Sequence, residues 1–213
     1  MESVYQTAVN NPASFAALFI VLFLILVRLY FHRMRLTPHM LVLIALMLAL
    51  TTLLHQVRLF HLPQGGSLTL GAMIPLLMLA WRYGPSVGFL GGFLYSILNL
   101  MQDPFILHPV QVLFDYPLPM MAMGLAGFFP QRRFVGTAVA FFARYCCHVI
   151  SGVFFFGSYA PAGQSPLLYS LSLNAAFLLP EFFIAVLILR ALPIERLLLA
   201  MDPHGQQREG LIK

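Results

Sequence analysis

Charge is the scarcest property of this chain. Asp, Glu, Lys and Arg make up 9% of its 213 residues, where a soluble domain carries about 25%. Hydrophobic residues make up 60%, and the mean hydropathy is +0.86. That balance excludes an ordinary soluble domain and describes a polytopic membrane protein, long enough for one bundle with little outside the bilayer. Lysine is nearly missing, since Lys213 is the only one. There is therefore no GxxxxGK[ST] phosphate loop, and ATP hydrolysis of that kind is excluded. Cysteine is limited to the adjacent pair Cys146 and Cys147 inside an apolar run, which reads as small core residues rather than a disulfide or metal site. No G-x-S-x-G elbow and no HExxH helix occurs, so no nucleophile or zinc signature is present. No cofactor or metal is expected. The net charge of +5 does not point to nucleic acid, because cytoplasmic loops of membrane proteins are rich in Lys and Arg.

Seven apolar segments are present, over about 13–32, 38–60, 68–82, 85–101, 110–129, 134–156 and 167–191. A span needs about 20 residues, so 68–82 and 85–101 are short. The runs do not alternate, which excludes a closed barrel and leaves helices. The first run has no basic residue before it, so it is expected to remain as a helix rather than be cleaved as a signal peptide.

The arginines give an orientation. With the N-terminus outside, the cytoplasmic side receives Arg28, Arg33, Arg35, Arg82, Arg132, Arg133, Arg190, Arg196, Arg208 and Lys213, ten of the twelve basic residues. The external loops near 61–67, 102–109 and 157–166 hold none. This is the pattern of positive cytoplasmic loops. Arg58 and Arg144 are left inside spans.

The same topology collects polar groups at one depth. Asp115, Tyr116, His148, Tyr169 and Asn174 all fall in the outer leaflet, below the external loop HLPQGGSL. Polar groups in hydrocarbon cost several kcal/mol unless something answers them. Asp115 reads either as a helix N-cap or interfacial carboxylate, or as the counter-charge for a cationic ligand. His148 alone reads as a satisfied core histidine; beside Phe156, Tyr169 and Asn174 it reads as a site residue. Tyr159 fits an interfacial aromatic belt. Arg144 and Glu181 both lie about 15 Å from the cytoplasmic end, which reads either as an interhelical ion pair or as Arg144 on backbone carbonyls with Glu181 neutral or facing water. Ala45 and Ala49 form a small-xxx-small pair suited to close helix contact, as do Gly88 and Gly92, where internal packing is expected. Ser151 and Ser158 near His148 form no convincing hydrolytic dyad.

The run FARYCCHVISGVFFFGSYAPAGQSPLLYSLSLN resembles the C-terminal half of the thiamine-specific substrate-binding (S) components of energy-coupling-factor transporters. LPQGGS at 62–67, RYG at 82–84 and HPVQVLFDYPLPMMAMGLAGFF at 108–129 agree with it. The resemblance covers residues 38–192. It implies an all-α, six-helix membrane domain that binds thiamine from outside. It also implies delivery inward by docking on a T component driven by two cytoplasmic ATPase subunits. By the same resemblance, thiamine is bound by Asp115, Tyr116, His148, Gly152, Phe156, Tyr169 and Asn174. Ala45 and Ala49 correspond to a helix motif that contacts the T component. Residues 1–37 add a helix outside the six-helix pattern, and 193–213 read as a cytoplasmic tail. The mobile external loop is placed at Gln64, Gly65, Gly66 and Ser67, because paired glycines permit large dihedral changes. Phe156 is smaller than the Trp of some relatives. Two rivals stand beside this reading: a related pyrimidine or other vitamin as ligand, and an intramembrane enzyme using His148 and Asp115.

Overall fold

The computed structural model describes residues 36–61 and 66–201. The expected N-terminal helix over 13–32, the loop residues Gln64 and Gly65, and residues 202–213 of the tail lie outside the described residues.

Proline sets where most helices begin. Helix α1 (Pro38–Gln56) starts on Pro38, with the Thr37 hydroxyl accepting from the Met40 N–H at 3.3 Å. Helices α2 (Ile74–Tyr83), α3 (Pro85–Gln102), α4 (Pro109–Asp115) and α5 (Pro117–Met121) each carry proline at their first or second position. Proline fits there because the first N–H groups of a helix have no internal partner and its fixed φ is already helical. Helix α6 (Arg133–Phe155) is followed by α7 (Pro166–Ala191), where Ser165 caps the Leu168 N–H at 3.2 Å. Helix α8 (Ile194–Met201) closes the described chain.

Two expected spans have a different form. The apolar run 38–60 is helical only to Gln56, and its end becomes strand β1 (Arg58–His61). This strand pairs antiparallel with β2 (Ser67–Thr69), with an irregularity between Arg58 and Phe60. The expected span 110–129 is three pieces: α4, α5 and a 3-10 segment, Ala122–Phe128. The physical reason lies in Pro117 and Pro119, which supply no N–H and disfavour helix in the residue before them. The chain turns at Tyr116, at φ −116° and ψ −76°.

Helix α2 forms the centre. Every residue from Ile74 to Trp81 is buried, and its ten residues reach only about 15 Å. It is enclosed by α1, α3, the 3-10 segment and α8. Gly88 and Gly92 let α3 press against its neighbours: a methyl on Gly88 would lie 2.6 Å from Ala80 Cβ on α2 and 2.7 Å from Gly124 Cα in the 3-10 segment, and one on Gly92 would overlap the Met120 carbonyl on α5. That pair serves packing, as its spacing predicts. Residues 194–201, expected as tail, form α8 instead, with Ile194, Leu198 and Met201 buried. The Tyr83 hydroxyl donates to the Met201 carbonyl at 2.9 Å.

Helices α1, α6 and α7 are long and apolar enough to cross a membrane. Their outward faces carry exposed Leu46, Leu53, Phe142, Phe154, Phe183 and Leu187, as a lipid-facing surface requires. Ala45 and Ala49 lie on the exposed face of α1. Cys146 and Cys147 are free and half-buried, so they are not the core residues expected.

Candidate functional site

Helix α6 supplies the frame. Arg144, His148 and Gly152 are four residues apart and therefore share one face. Helix α7 packs along α6. Where the two come closest, a methyl on Gly152 would overlap the Ser170 side chain. The Ser170 hydroxyl donates to the Val149 carbonyl at 2.9 Å, fastening the contact.

Arg144 is 5% exposed and Glu181 1%, and the guanidinium donates to the carboxylate at 2.8 Å. Of the two readings of these residues, the interhelical pair is present. The other oxygen of Glu181 accepts from the Thr69 hydroxyl at 2.7 Å, which ties strand β2 to α7 and α6. One turn further along α6, the His148 Nδ1 faces Asp115 at 3.4 Å. Gln111 donates to the other Asp115 oxygen at 2.6 Å. Asp115 is the last residue of α4, so its N-cap reading is removed. It sits where a helix dipole disfavours a negative charge, which leaves the carboxylate in need of a cation.

These groups line one cavity between α1, α3, α4, α6 and α7, together with Gly66 and Ser67 from the hairpin. It offers about 90 Å³ to water centres, room for several waters where one needs about 10–15 Å³. All seven residues singled out from sequence line it: Asp115, Tyr116, His148, Gly152, Phe156, Tyr169 and Asn174. Their environments differ. Phe156 closes α6 and stacks on Phe105, with centroids 5.7 Å apart and planes 23° apart. The Asn174 amide nitrogen donates to the Ser170 carbonyl at 2.9 Å and the His148 carbonyl at 3.3 Å, which leaves its oxygen as the unused acceptor. Tyr116 is committed to the chain around it: its hydroxyl donates to the Asp103 carbonyl at 2.7 Å and accepts from the Phe105 N–H at 2.8 Å. Tyr159 is exposed and outside the lining, and Ser151 makes no hydrogen bond among the described residues.

Sequence reasoning missed Gln111, Asp103, Phe105, His55 and Asn99. Gln111 is 1% exposed. Its side-chain oxygen accepts from the Leu107 N–H at 2.9 Å, and its nitrogen donates to the Phe105 carbonyl at 3.1 Å. The signal for it is H-P-x-Q, a cap followed three residues later by Gln, since His108 and Gln111 form a capping box. Asp103 pairs with Arg58 at 2.7 Å, so Arg58 lies on a strand rather than inside a span.

The thiamine transporter protein family (Thia_YuaJ) matches this chain over residues 41–201. The chain belongs to that family. It is a membrane transport protein and not an enzyme. Thiamine transporter ThiT of Bacillus subtilis (strain 168) is 35% identical over 145 residues, which are 60% of this chain and 75% of that one. Thiamine transporter ThiT of Lacticaseibacillus paracasei is 32% identical over 122 residues, 48% of this chain and 61% of that one. The solved structure of ThiT from Listeria monocytogenes superposes with a TM-score of 0.63 at 24% identity, covering 76% of this chain and 93% of that one. That likeness establishes the fold: an all-α membrane bundle.

Proposed function

We propose that this protein is the substrate-binding component of an ATP-driven vitamin importer. It captures thiamine from outside and delivers it inward together with a T component and two cytoplasmic ATPases. The observation that carries the ligand assignment is Asp115, whose neighbours are a glutamine and a histidine. No arginine pairs with it among the described residues. Thiamine carries a permanent thiazolium cation, and a carboxylate in a low-dielectric cavity attracts a cation far more strongly than in water. Phe156 and Tyr169 offer ring faces worth about 0.5–2 kcal/mol each to a cation. His148 and the Asn174 oxygen, which has no partner among the described residues, offer further hydrogen-bonding groups to the ligand. Tyr116 contributes its ring, since its hydroxyl is already used twice.

The positive loops support an external N-terminus and a cytoplasmic C-terminus, with residues 38–192 as the binding domain in contact with lipid. Ala45 and Ala49, exposed on α1, are assigned to T-component contact. Closure over the ligand is assigned to the connection of β1 to β2, whose Gly66 and Ser67 line the cavity. Differential affinity for the open and closed forms must drive that closure.

Calorimetric titration of the detergent-solubilised protein with thiamine tests the reading, with Asp115→Asn and His148→Ala alongside. Saturable binding lost in both variants is expected. Absence of binding at high micromolar thiamine would overturn it.

A further inference from the structure

The cavity that holds Asp115 and His148 has a second set of polar groups that neither motif nor charge count singles out. His55 on α1 is 6% exposed and Asn99 on α3 is 7% exposed, and both line the cavity. The His55 Nδ1 and the Asn99 Oδ1 are each buried without a hydrogen-bond partner among the described residues. Behind them Tyr95, fully buried, sets its ring edge-on to His55 at 6.1 Å. Its hydroxyl also has no partner among the described residues. Buried polar atoms are almost always bonded, and leaving one unbonded is expensive. Two such atoms on neighbouring helices at the same cavity imply something that sits in the cavity and bonds to both.

The chemistry of that missing group can be narrowed. Asn99 offers a bare carbonyl oxygen, which demands a donor. The imidazole of His55 offers either role according to its tautomer. The charged groups near these two residues are paired within the chain: the Asp103 carboxylate, one turn beyond Asn99, is held by Arg58 at 2.7 Å, and the Arg144 guanidinium by Glu181 at 2.8 Å. The group is therefore neutral and presents a donor, with an acceptor beside it.

We infer that His55 and Asn99 form a second, neutral recognition wall that takes the donor–acceptor edge of a flat nitrogen heterocycle, in the same cavity as the carboxylate that takes the cation. This rests on the thiamine reading above, whose aminopyrimidine presents such an edge. The same chemistry could be supplied by bound water alone, so the test separates the two.

The experiment titrates the full-length, detergent-solubilised protein with thiamine and with an analogue whose ring amino group is replaced by an oxo group, the thiazolium being unchanged. Wild type, Asn99→Leu and His55→Leu are compared. Wild type is expected to prefer thiamine by about tenfold or more, the size of one hydrogen bond to a buried neutral group. In both leucine variants thiamine affinity falls and the preference shrinks to within about threefold. Should either variant fail to fold, Asn99→Ser and His55→Gln carry the same comparison of ratios. Variants that keep the wild-type preference, whatever their absolute affinity, overturn the inference and leave the wall to water. Failure of the wild type to bind thiamine instead overturns the ligand assignment, and this inference falls with it.

Discussion

Two charge pairs sit one turn apart on the same face of α6, and they are built for opposite purposes. Arg144 and Glu181 are 5% and 1% exposed and meet at 2.8 Å, with Thr69 holding the second carboxylate oxygen. His148 and Asp115 are 12% and 18% exposed and stand 3.4 Å apart. The His148 Nε2 has no partner among the described residues. In the first pair both carboxylate oxygens are met by protein, and the pair fastens β2, α6 and α7, while the Arg144 Nε has no partner among the described residues. The second is left loose, and it faces a cavity. A buried carboxylate met on both oxygens by its own chain is structural. A buried charge met halfway is waiting for something else.

Breaking the tight pair should give the largest effect. Glu181→Ala leaves the Arg144 guanidinium buried and uncompensated, which costs about 3–5 kcal/mol. Thermal unfolding in detergent should show the loss with or without ligand. Converting both members, as Arg144→Met with Glu181→Leu, should recover most of it. A double-mutant cycle with no coupling would erase the contrast between the pairs.

Breaking the loose pair should do the reverse. Asp115→Asn is expected to weaken thiamine binding by roughly 100-fold, about 2.7 kcal/mol, as loss of a desolvated charge partner does. The melting temperature of the unliganded protein should barely move. A variant that unfolds instead would place Asp115 in the structural class with Glu181.

Gly152→Ala sharpens the comparison from one turn further along. The new methyl would overlap Ser170, and parting two packed helices costs about 1–3 kcal/mol. Stability and binding should fall together, and Ser170→Gly in the same protein should restore part of both.

A third pair supplies the exposed control. Arg133, at the start of α6, binds Glu195 through two hydrogen bonds, at 2.5 Å and 3.0 Å, with Glu195 73% exposed. The bond from Arg133 holds the Glu195 carboxyl below its usual range. Its stabilisation is present above the ordinary Glu value and is lost as pH falls through the lowered one. Solvent screens this pair, so Glu195→Gln should cost only a few tenths of a kcal/mol at pH 7. The difference from wild type should shrink steadily in melts taken at successively lower pH below the ordinary Glu range.

Much of this was legible in the sequence because membrane burial makes polar residues informative. Arg144 and Glu181 could be paired from depth alone, and loop charges were enough to gather Asp115, His148, Tyr169 and Asn174 at one level. The rest was hidden where hydropathy is blind to backbone chemistry. Residues 110–129 read as one hydrophobic run, yet Pro117 and Pro119 divide it, and that division places Asp115 at a helix end. The hairpin was hidden inside an apolar run, although the turn-rich LPQGGS between LFH and SLTL marks it. The motif singles out Tyr116 but not how it is held: its hydroxyl is spent on the backbone of residues 103 and 105, which leaves the ring at the cavity. His55 and Asn99 lie inside the runs read as spans 38–60 and 85–101, and only the packing of α1 against α3 brings them to one cavity.

The prolines at helix starts carry a consequence for assembly in lipid. A helix entering a bilayer exposes N–H groups that nothing in hydrocarbon can satisfy. Pro38, Pro75, Pro85, Pro109, Pro117 and Pro166 each delete one such donor at the first or second position of a helix. Residues that look like breakers on a hydropathy plot thereby lower the cost of inserting short, interrupted helices. A bundle can then afford a buried ten-residue helix at its centre and a span broken beside its ligand cavity.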